Sequence, residues 1–295
     1  MTAAGTPKKS VAYLGPENTN TYFAAKAMFG GAYRYLHEPT VEDVFHAVER
    51  QKALYGVVPV ENSLEGAVTH TLDRFIDFQR SPVEIYGEID QPINHFLIKP
   101  RGAALRDIRI VYSHPQALGQ CDRWLRKQLR EAQYSETSST AEAMTRLLKE
   151  DSLWKSQERA AIGRRELADE RRFEAVPVPI AEDNRTRFVI LALSDGRRPR
   201  RPARRYKTSL MFSLKDRAGA LHDALLPFKR HRINLTKIES RPSKTKAWEY
   251  YFFVDVEGRD DHPEVARALR ELDKACTFLK VLGSYPAAGS ARRPS

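Results

Sequence analysis

Short apolar runs alternate with helical patterns along the first two thirds of the chain. Val11–Leu14 is a buried-strand pattern. Val41, Val44, Phe45 and Val48 recur at helical spacing behind Thr40, which predicts an amphipathic helix with Thr40 as its N-cap. Val57–Val60 is a second buried strand, and its Pro59 predicts a strand end or an edge. Val68, Leu72, Phe75 and Ile76 mark another helix. Val83–Glu88 and Ile93–Ile98 read as strands joined through a turn. Ile108–Tyr112 is a strand, and Pro115 suits the first turn of the helix after it. Ser139 with Glu142 is a capping-box pattern that opens a helix through Leu148. Ala160–Ile162 and Phe188–Leu193 complete the strands. This alternation predicts α/β architecture with a mostly parallel sheet or two small ones.

The run Gly196–Lys207 then breaks the pattern. It has no apolar face to bury and reads as a linker over residues 196–205. Beyond it lie strands at Ser209–Leu214, Ile233–Ser240, Trp248–Val256 and Phe278–Ser284. Helices at Ala220–Arg230 and Pro263–Leu272 interrupt them. The order βαββαβ in about 80 residues is a ferredoxin-like pattern. Such a domain, over residues 206–286, exposes sheet edges that pair with a second copy. Residues 287–295 read as a disordered tail, and residues 8–195 as the main domain.

The formal charge of +11 on 295 residues raises nucleic acid as a partner. However, Gly196–Lys207 alone carries seven basic residues and no acid, so the rest is only +4. No aromatic residues interleave with the arginines to stack on bases. The expectation is therefore no nucleic-acid partner. Cys121 and Cys276 form no CxxC pair, and the eight histidines show no metal-ligand spacing. There is no dinucleotide fingerprint, P-loop or HExxH. The first ten residues hold no signal-peptide core, and no run approaches the ~20 apolar residues of a membrane span. A cytoplasmic protein with no membrane contact, no metal and no cofactor is expected.

Four polar clusters sit where strands meet loops. Gly15-Pro16-Glu17-Asn18-Thr19 follows the first strand. Glu61-Asn62-Ser63 follows the second. Ser113-His114-Pro115-Gln116 follows the Ile108 strand, with Cys121 further along the helix. Asp183-Asn184-Arg185-Thr186-Arg187-Phe188 leads into the Val189–Leu193 run. The first three place backbone N–H groups and short hydroxyls near helix N-termini, an arrangement that favours carboxylate or phosphate. Each has a simpler reading. Ser63 caps the helix through Phe75, His114 is a hydrogen-bonded structural histidine, Gln116 faces solvent, and Cys121 is a small buried apolar residue.

Taken together in this order, GP-x-N-T, VPVENSLEGAV, SHPQALGQC and DNRTRF resemble the prephenate dehydratase family. The C-terminal strings Ala218-Gly219-Ala220-Leu221 and Asn234–Pro242 resemble that family's ACT regulatory domain. The likeness runs from about Val11 to Ser284. It implies a catalytic part of two α/β lobes, periplasmic-binding-protein-like, around a cleft, followed by the ACT domain. With no mutase-like segment before Val11, the monofunctional form is expected. The resemblance implies Thr186 as the catalytic threonine. It implies Thr19, Asn62, Ser63, Ser113, His114, Gln116, Arg187 and Phe188 as substrate-binding. It implies Gly219, Ala220, Leu221, Asn234, Leu235, Glu239, Ser240, Arg241 and Pro242 as effector-binding. Prephenate is the implied substrate, L-phenylalanine the effector, and a homodimer or homotetramer through ACT domains the assembly.

The family's first motif usually reads GPxGT followed by an aromatic residue. Here Asn18 replaces the glycine and Asn20 the aromatic. Asparagine tolerates left-handed backbone angles, so the turn is expected to survive. The regulatory loop carries Ala218 where the family usually has proline. In the implied chemistry aromatisation drives loss of water and carbon dioxide. The protein holds two carboxylates and donates to the leaving oxygen. Thr186 suits the donor, and Arg187 a bidentate carboxylate clamp. Helix N-termini after Asn62 and His114 suit the other carboxylate, and His114 is the candidate proton supplier. Two alternatives stand beside this reading: an arogenate dehydratase, and a non-catalytic amino-acid sensor with an ACT module.

Overall fold

The computed structural model describes residues 9–154, 158–169, 171–180, 184–194, 202–244 and 248–289. Asp183, most of the expected linker (196–201 of 196–205) and the end of the expected tail (290–295) lie outside the described residues. The elements in chain order begin with β1 (Ser10–Leu14), α1 (Asn20–Phe29), β2 (Arg34–Glu38), α2 (Val41–Glu49), β3 (Tyr55–Asn62), β4 (Gly66–Ala67), α3 (Thr69–Asp77) and β5 (Val83–Pro92). Next come β6 (His95–Pro100), β7 (Ile110–Ser113), α4 (Pro115–Gln128), β8 (Gln133–Glu136), α5 (Thr140–Trp154), β9 (Arg159–Gly163), β10 (Phe173–Val178) and β11 (Arg185–Leu193). The C-terminal part is β12 (Tyr206–Leu214), α6 (Ala220–Arg230), β13 (Leu235–Pro242), β14 (Tyr250–Glu257), α7 (Pro263–Ala275) and β15 (Cys276–Pro286).

The chain divides into two compact units. The first takes the chain up to Gly15, Ala24–Gln91 and everything from Thr186 onward. The second takes Pro16–Phe23 and Pro92–Arg185.

The first unit contains a six-stranded sheet in the order β2-β1-β3-β11-β5, with β4 on β3. β1 runs parallel to both β2 and β3, and β11 runs antiparallel to β3. The expected parallel character is thus only partial. α2 forms as its spacing predicts. Thr40 Oγ1 accepts the Asp43 N–H at 3.1 Å, and Val44, Phe45 and Val48 are fully buried. Pro59 does not end its strand. It lies inside β3, opposite a β-bulge at Arg187/Phe188 and beyond the last residue that β1 pairs, so no ladder bond needs its missing N–H.

The same unit carries a four-stranded sheet, order β13-β14-β12-β15, with antiparallel pairing throughout. This is the βαββαβ arrangement read from the sequence. Leu210, Phe212 and Val254 face α6 and α7, where Phe228 and Leu272 meet them. The opposite face is also covered. Met211, Phe253, Leu282 and Tyr285 belong to the same core cluster as Val60, Phe75, Ile85 and Val189 of the six-stranded part. Asp73 on α3 accepts from Arg241 Nε at 2.9 Å and Lys244 Nζ at 2.6 Å. The Lys280 ammonium donates to the carbonyls of Phe78 and Ser81.

The second unit is a five-stranded sheet, order β10-β6-β9-β7-β8, with β7 parallel to β8 and β9 and β6 antiparallel to β9 and β10. Leu118, Cys121 and Leu125 of α4 pack with Val111 and Ile162, while Met144 and Leu147 of α5 pack with Tyr112 and Ala161. Pro115 opens α4, and Ser139 Oγ accepts the Glu142 N–H at 3.0 Å. The Glu142 carboxylate turns to the Ser138 N–H at 2.7 Å instead of closing the box on Ser139. β5 and β6, expected to be joined through a turn, belong to different sheets. The chain leaves the first unit between them.

Candidate active site

The β3–β11 pairing sets Thr186 directly against Asn62. Asn62 is buried, and its amide is oriented by its surroundings. Oδ1 accepts the N–H groups of Leu64 at 3.0 Å and Glu65 at 3.3 Å, and Nδ2 donates to Thr186 Oγ1 at 3.0 Å. Only this orientation satisfies the two backbone donors, because an amide nitrogen cannot accept them. The consequence reaches the threonine. Its oxygen accepts from Asn62, so its own proton points elsewhere and donates to whatever acceptor comes against it. Ser63 is exposed in the following turn. It does not cap the next helix, because α3 starts only at Thr69, after the short β4 strand.

Arg187 and Phe188 take other positions than the resemblance implies. Phe188 is 1% exposed and fills the interior behind β11, so it anchors the strand. The Arg187 guanidinium pairs with Glu61 on β3, with Asp255 on β14 at 3.1 Å and with Glu88 on β5 at 3.6 Å. Adjacent strand residues point to opposite faces, so the residue after Thr186 turns toward the C-terminal sheet. A guanidinium already paired with three carboxylates has less to offer a substrate carboxylate than the clamp role requires. Burial pushes the Glu88 carboxyl upward, partly offset by Lys207 at 3.0 Å. Burial also pulls the neighbouring Lys237 ammonium down to about 8.

In the second unit, Asn18 has φ 68°, the left-handed angle expected of the residue replacing glycine. Thr19 Oγ1 lies 3.4 Å from the Tyr22 N–H at the start of α1. Ser113 is fully buried and donates to the Ile162 carbonyl at 3.0 Å, which ties β7 to β9. His114 is the N-cap of α4, with Nδ1 accepting the Gln116 N–H at 3.3 Å. The Gln116 side chain is exposed. Burial pushes the Cys121 thiol up to about 12, which leaves it a packing residue rather than a nucleophile. Asn184 Nδ2 donates to Gln120 Oε1 at 3.0 Å, and His95 Nε2 shares that oxygen at 2.8 Å. Burial lowers the His95 pKa, partly offset by the contact with Gln120.

Arg164 is the residue the sequence reading missed. It follows the C-terminal end of β9, next to the parallel β7 that ends at Ser113. Its guanidinium lies 4.6 Å from the Phe23 ring centroid, donates to Asn20 Oδ1 at 3.2 Å and meets Glu166 at 3.0 Å. Its Nε is buried with no acceptor among the described residues. The signal was present: an arginine directly after a buried run, at the strand end where α/β folds place ligands.

The effector residues fall into two groups. Gly219 takes φ 77° as N-cap of α6, and Ala220 and Leu221 line a cavity of about 550 Å³ with Arg217, Trp248, Tyr250 and Phe252. None of the expected residues from Asn234 to Pro242 lines it. On β13, Leu235, Glu239 and Arg241 are half-buried while Ser240 and Pro242 are exposed, as is Asn234 just before it. Arg241 is held bidentately by Asp73, so here it ties the C-terminal sheet to α3.

The prephenate dehydratase family profile matches residues 11–195, and the ACT domain profile matches residues 208–274. The bifunctional chorismate mutase/prephenate dehydratase of Aquifex aeolicus is 45% identical over 95% of this chain and 74% of its own length. The prephenate dehydratase of Methanocaldococcus jannaschii is 34% identical over 94% of this chain and 98% of its own. The crystal structure of a prephenate dehydratase from Arthrobacter aurescens in complex with L-Phe superposes with a TM-score of 0.83. It is 31% identical and covers 97% of this chain and 93% of that one. The chain belongs to the prephenate dehydratase family, with a C-terminal ACT domain.

Proposed function

We infer that the protein converts prephenate to phenylpyruvate, water and carbon dioxide, under regulation by L-phenylalanine at the ACT domain. The bond to the ring carboxylate breaks and its electron pair enters the ring. The bond to the ring hydroxyl breaks, and the departing hydroxide takes up one proton. The observation that carries the reading is the Asn62–Thr186 pair. Its orientation leaves the Thr186 hydroxyl as a fixed donor, and the leaving oxygen is where negative charge develops.

Arg164, rather than Arg187, is assigned to a substrate carboxylate, because its buried Nε has no acceptor among the described residues. The first-turn N–H groups of α4, behind His114, offer a second anion-binding group. Ser63 and Gln116 stay as substrate contacts through their exposed side chains, whereas Thr19 shapes its turn and Ser113 ties β7 to β9. Prephenate is preferred to arogenate, and catalysis to amino-acid sensing alone, on the strength of the family membership. For the effector, the Ala220–Leu221 cavity of one chain is completed by the β13 motif of a second. β13 is the edge of its sheet, with Ile238 exposed. A cytoplasmic location suits a biosynthetic enzyme of this family. No helix among the described residues is long and apolar enough to cross a membrane.

The test is ultraviolet detection of phenylpyruvate from prephenate, with and without phenylalanine. Thr186→Ala should lower kcat by about 10²–10³, roughly 2.7–4 kcal/mol, with a smaller change in KM. Near-normal turnover by that variant would refute the assignment.

A further inference from the structure

We propose that Arg187 and Asp255 are a positioning pair, through which the ACT sheet holds the catalytic strand β11 in the register that aims Thr186. The inference rests on the reading of Thr186 as the donor. It deepens that reading by naming what orients the donor from the regulatory side.

The path is short and buried. Thr186 and Arg187 are consecutive, so displacing one guanidinium turns the peptide that carries the hydroxyl. Only 15% of the Arg187 side chain is exposed, and Asp255 and Glu88 show 12% and 2%. Arg187 also meets Glu61, the residue before Asn62, so both members of the donor pair have a neighbour in one charged cluster. The strands are least constrained at this point, because the β3–β11 ladder shifts register directly after Arg187. A side-chain anchor does there what regular pairing does elsewhere.

Asp255 is not a loose surface acid. Ser209 Oγ donates to its Oδ1 at 2.6 Å and lies 2.7 Å from the Tyr285 hydroxyl, so β12, β14 and β15 all set its direction. Across the ladder Asp255 pairs with Lys237 of β13, the strand that carries the Glu239–Pro242 motif. A shift of β13 against β14 therefore reaches Asp255 at once, Arg187 next and Thr186 one residue later. A demonstrated two-state element is the physical requirement for coupling, and this contact is the bond such an element would make and break.

The experiment is a double-mutant cycle of Arg187→Gln and Asp255→Asn in the full-length protein, with kcat, KM, phenylalanine response and phenylalanine binding by calorimetry. Each single variant should lower kcat about tenfold with little change in KM, and the double should be no worse than either single. Asp255→Asn should still bind phenylalanine but lose most of its effect on rate. Ser209→Ala, which removes only the hydrogen bond to Asp255, should move in the same direction by a smaller factor and guards against a folding failure. Arg187→Lys should recover part of kcat as a point-charge partner. Additive losses in the cycle, or a lower melting temperature with unchanged kcat and phenylalanine response, would overturn the pair as a positioning device. Thr186→Ala assayed beside them separates the two claims. If that variant keeps turnover, the donor assignment fails, while the phenylalanine response of Asp255→Asn still decides the coupling.

Discussion

Gly283 lies in β15 where the ACT sheet meets the backbone of β5. An alanine Cβ there would stand 2.1 Å from the Ile85 carbonyl oxygen, 2.9 Å from its carbon and 3.0 Å from its nitrogen. These are strand backbone atoms and cannot swing aside as a flexible side-chain end would. Ordinary contact begins at 3.4 Å, so Gly283→Ala requires the two strands to part by roughly 1.3 Å. Two responses compete. Overpacking strain in a docked structure costs ~1–3 kcal/mol. Undocking would strip Met211, Phe253, Leu282 and Tyr285 of the core they share with Val60, Phe75, Ile85 and Val189. At about 1.5–3 kcal/mol per side chain that is roughly 6–12 kcal/mol, well above the strain. The variant should therefore stay docked and strained, less stable by about 2–3 kcal/mol, toward the top of the overpacking range because the obstacle is backbone. Urea unfolding should show a lower midpoint at an unchanged slope. The displaced sheet should also weaken the phenylalanine effect on rate. Stability within about 0.5 kcal/mol of wild type would refute the close approach of β15 to β5.

Two further outcomes follow from the charged groups. His231, the C-cap of α6, has Nε2 3.0 Å from Glu271 and Nδ1 2.9 Å from Glu264, both on α7, so its folded pKa is raised, first by the Glu271 bond and then by Glu264. A raised histidine stabilises fully below its unfolded pKa and loses that contribution as pH rises through the folded value. The stability advantage of wild type over His231→Asn in urea should thus be larger at about pH 6 than at about pH 9, and an advantage constant with pH would count against the clasp. Arg164→Ala should raise KM for prephenate by about 10–100-fold with a smaller loss of kcat, as for a charge-assisted hydrogen bond of roughly 1.5–3 kcal/mol. An unchanged KM in steady-state kinetics would remove Arg164 from the substrate site.

Some of this was legible from the chain and some was not, for identifiable reasons. α2 was readable because four apolar residues and one cap all point to the same helix. β2 and β8 were not, because both are sheet edges with half-exposed or exposed residues, and no apolar period distinguishes them from loops. The Thr186–Asn62 contact was not legible, since the two lie 124 residues apart and nothing local encodes their register. The carboxylate partners of Arg187 were not legible, because its sequence position is equally compatible with either face of β11 and the bulge that follows it leaves no sequence trace. β12 shows a further feature in the structure. Ser209 to Ser213 are buried without alternation, the pattern of a strand covered on both faces, although α6 and α7 can cover only one. The second face had to meet something else, and the catalytic lobe meets it through Met211. This has a functional consequence. A sheet whose second face lies in solvent can change its twist without disturbing the catalytic strands. One whose second face shares a close-packed core with Val189 of β11 cannot, because such cores rearrange rather than deform gradually. An Asp255 embedded in that shared face is therefore placed to report the state of the regulatory sheet to Thr186, which an acid on an exposed face would not be.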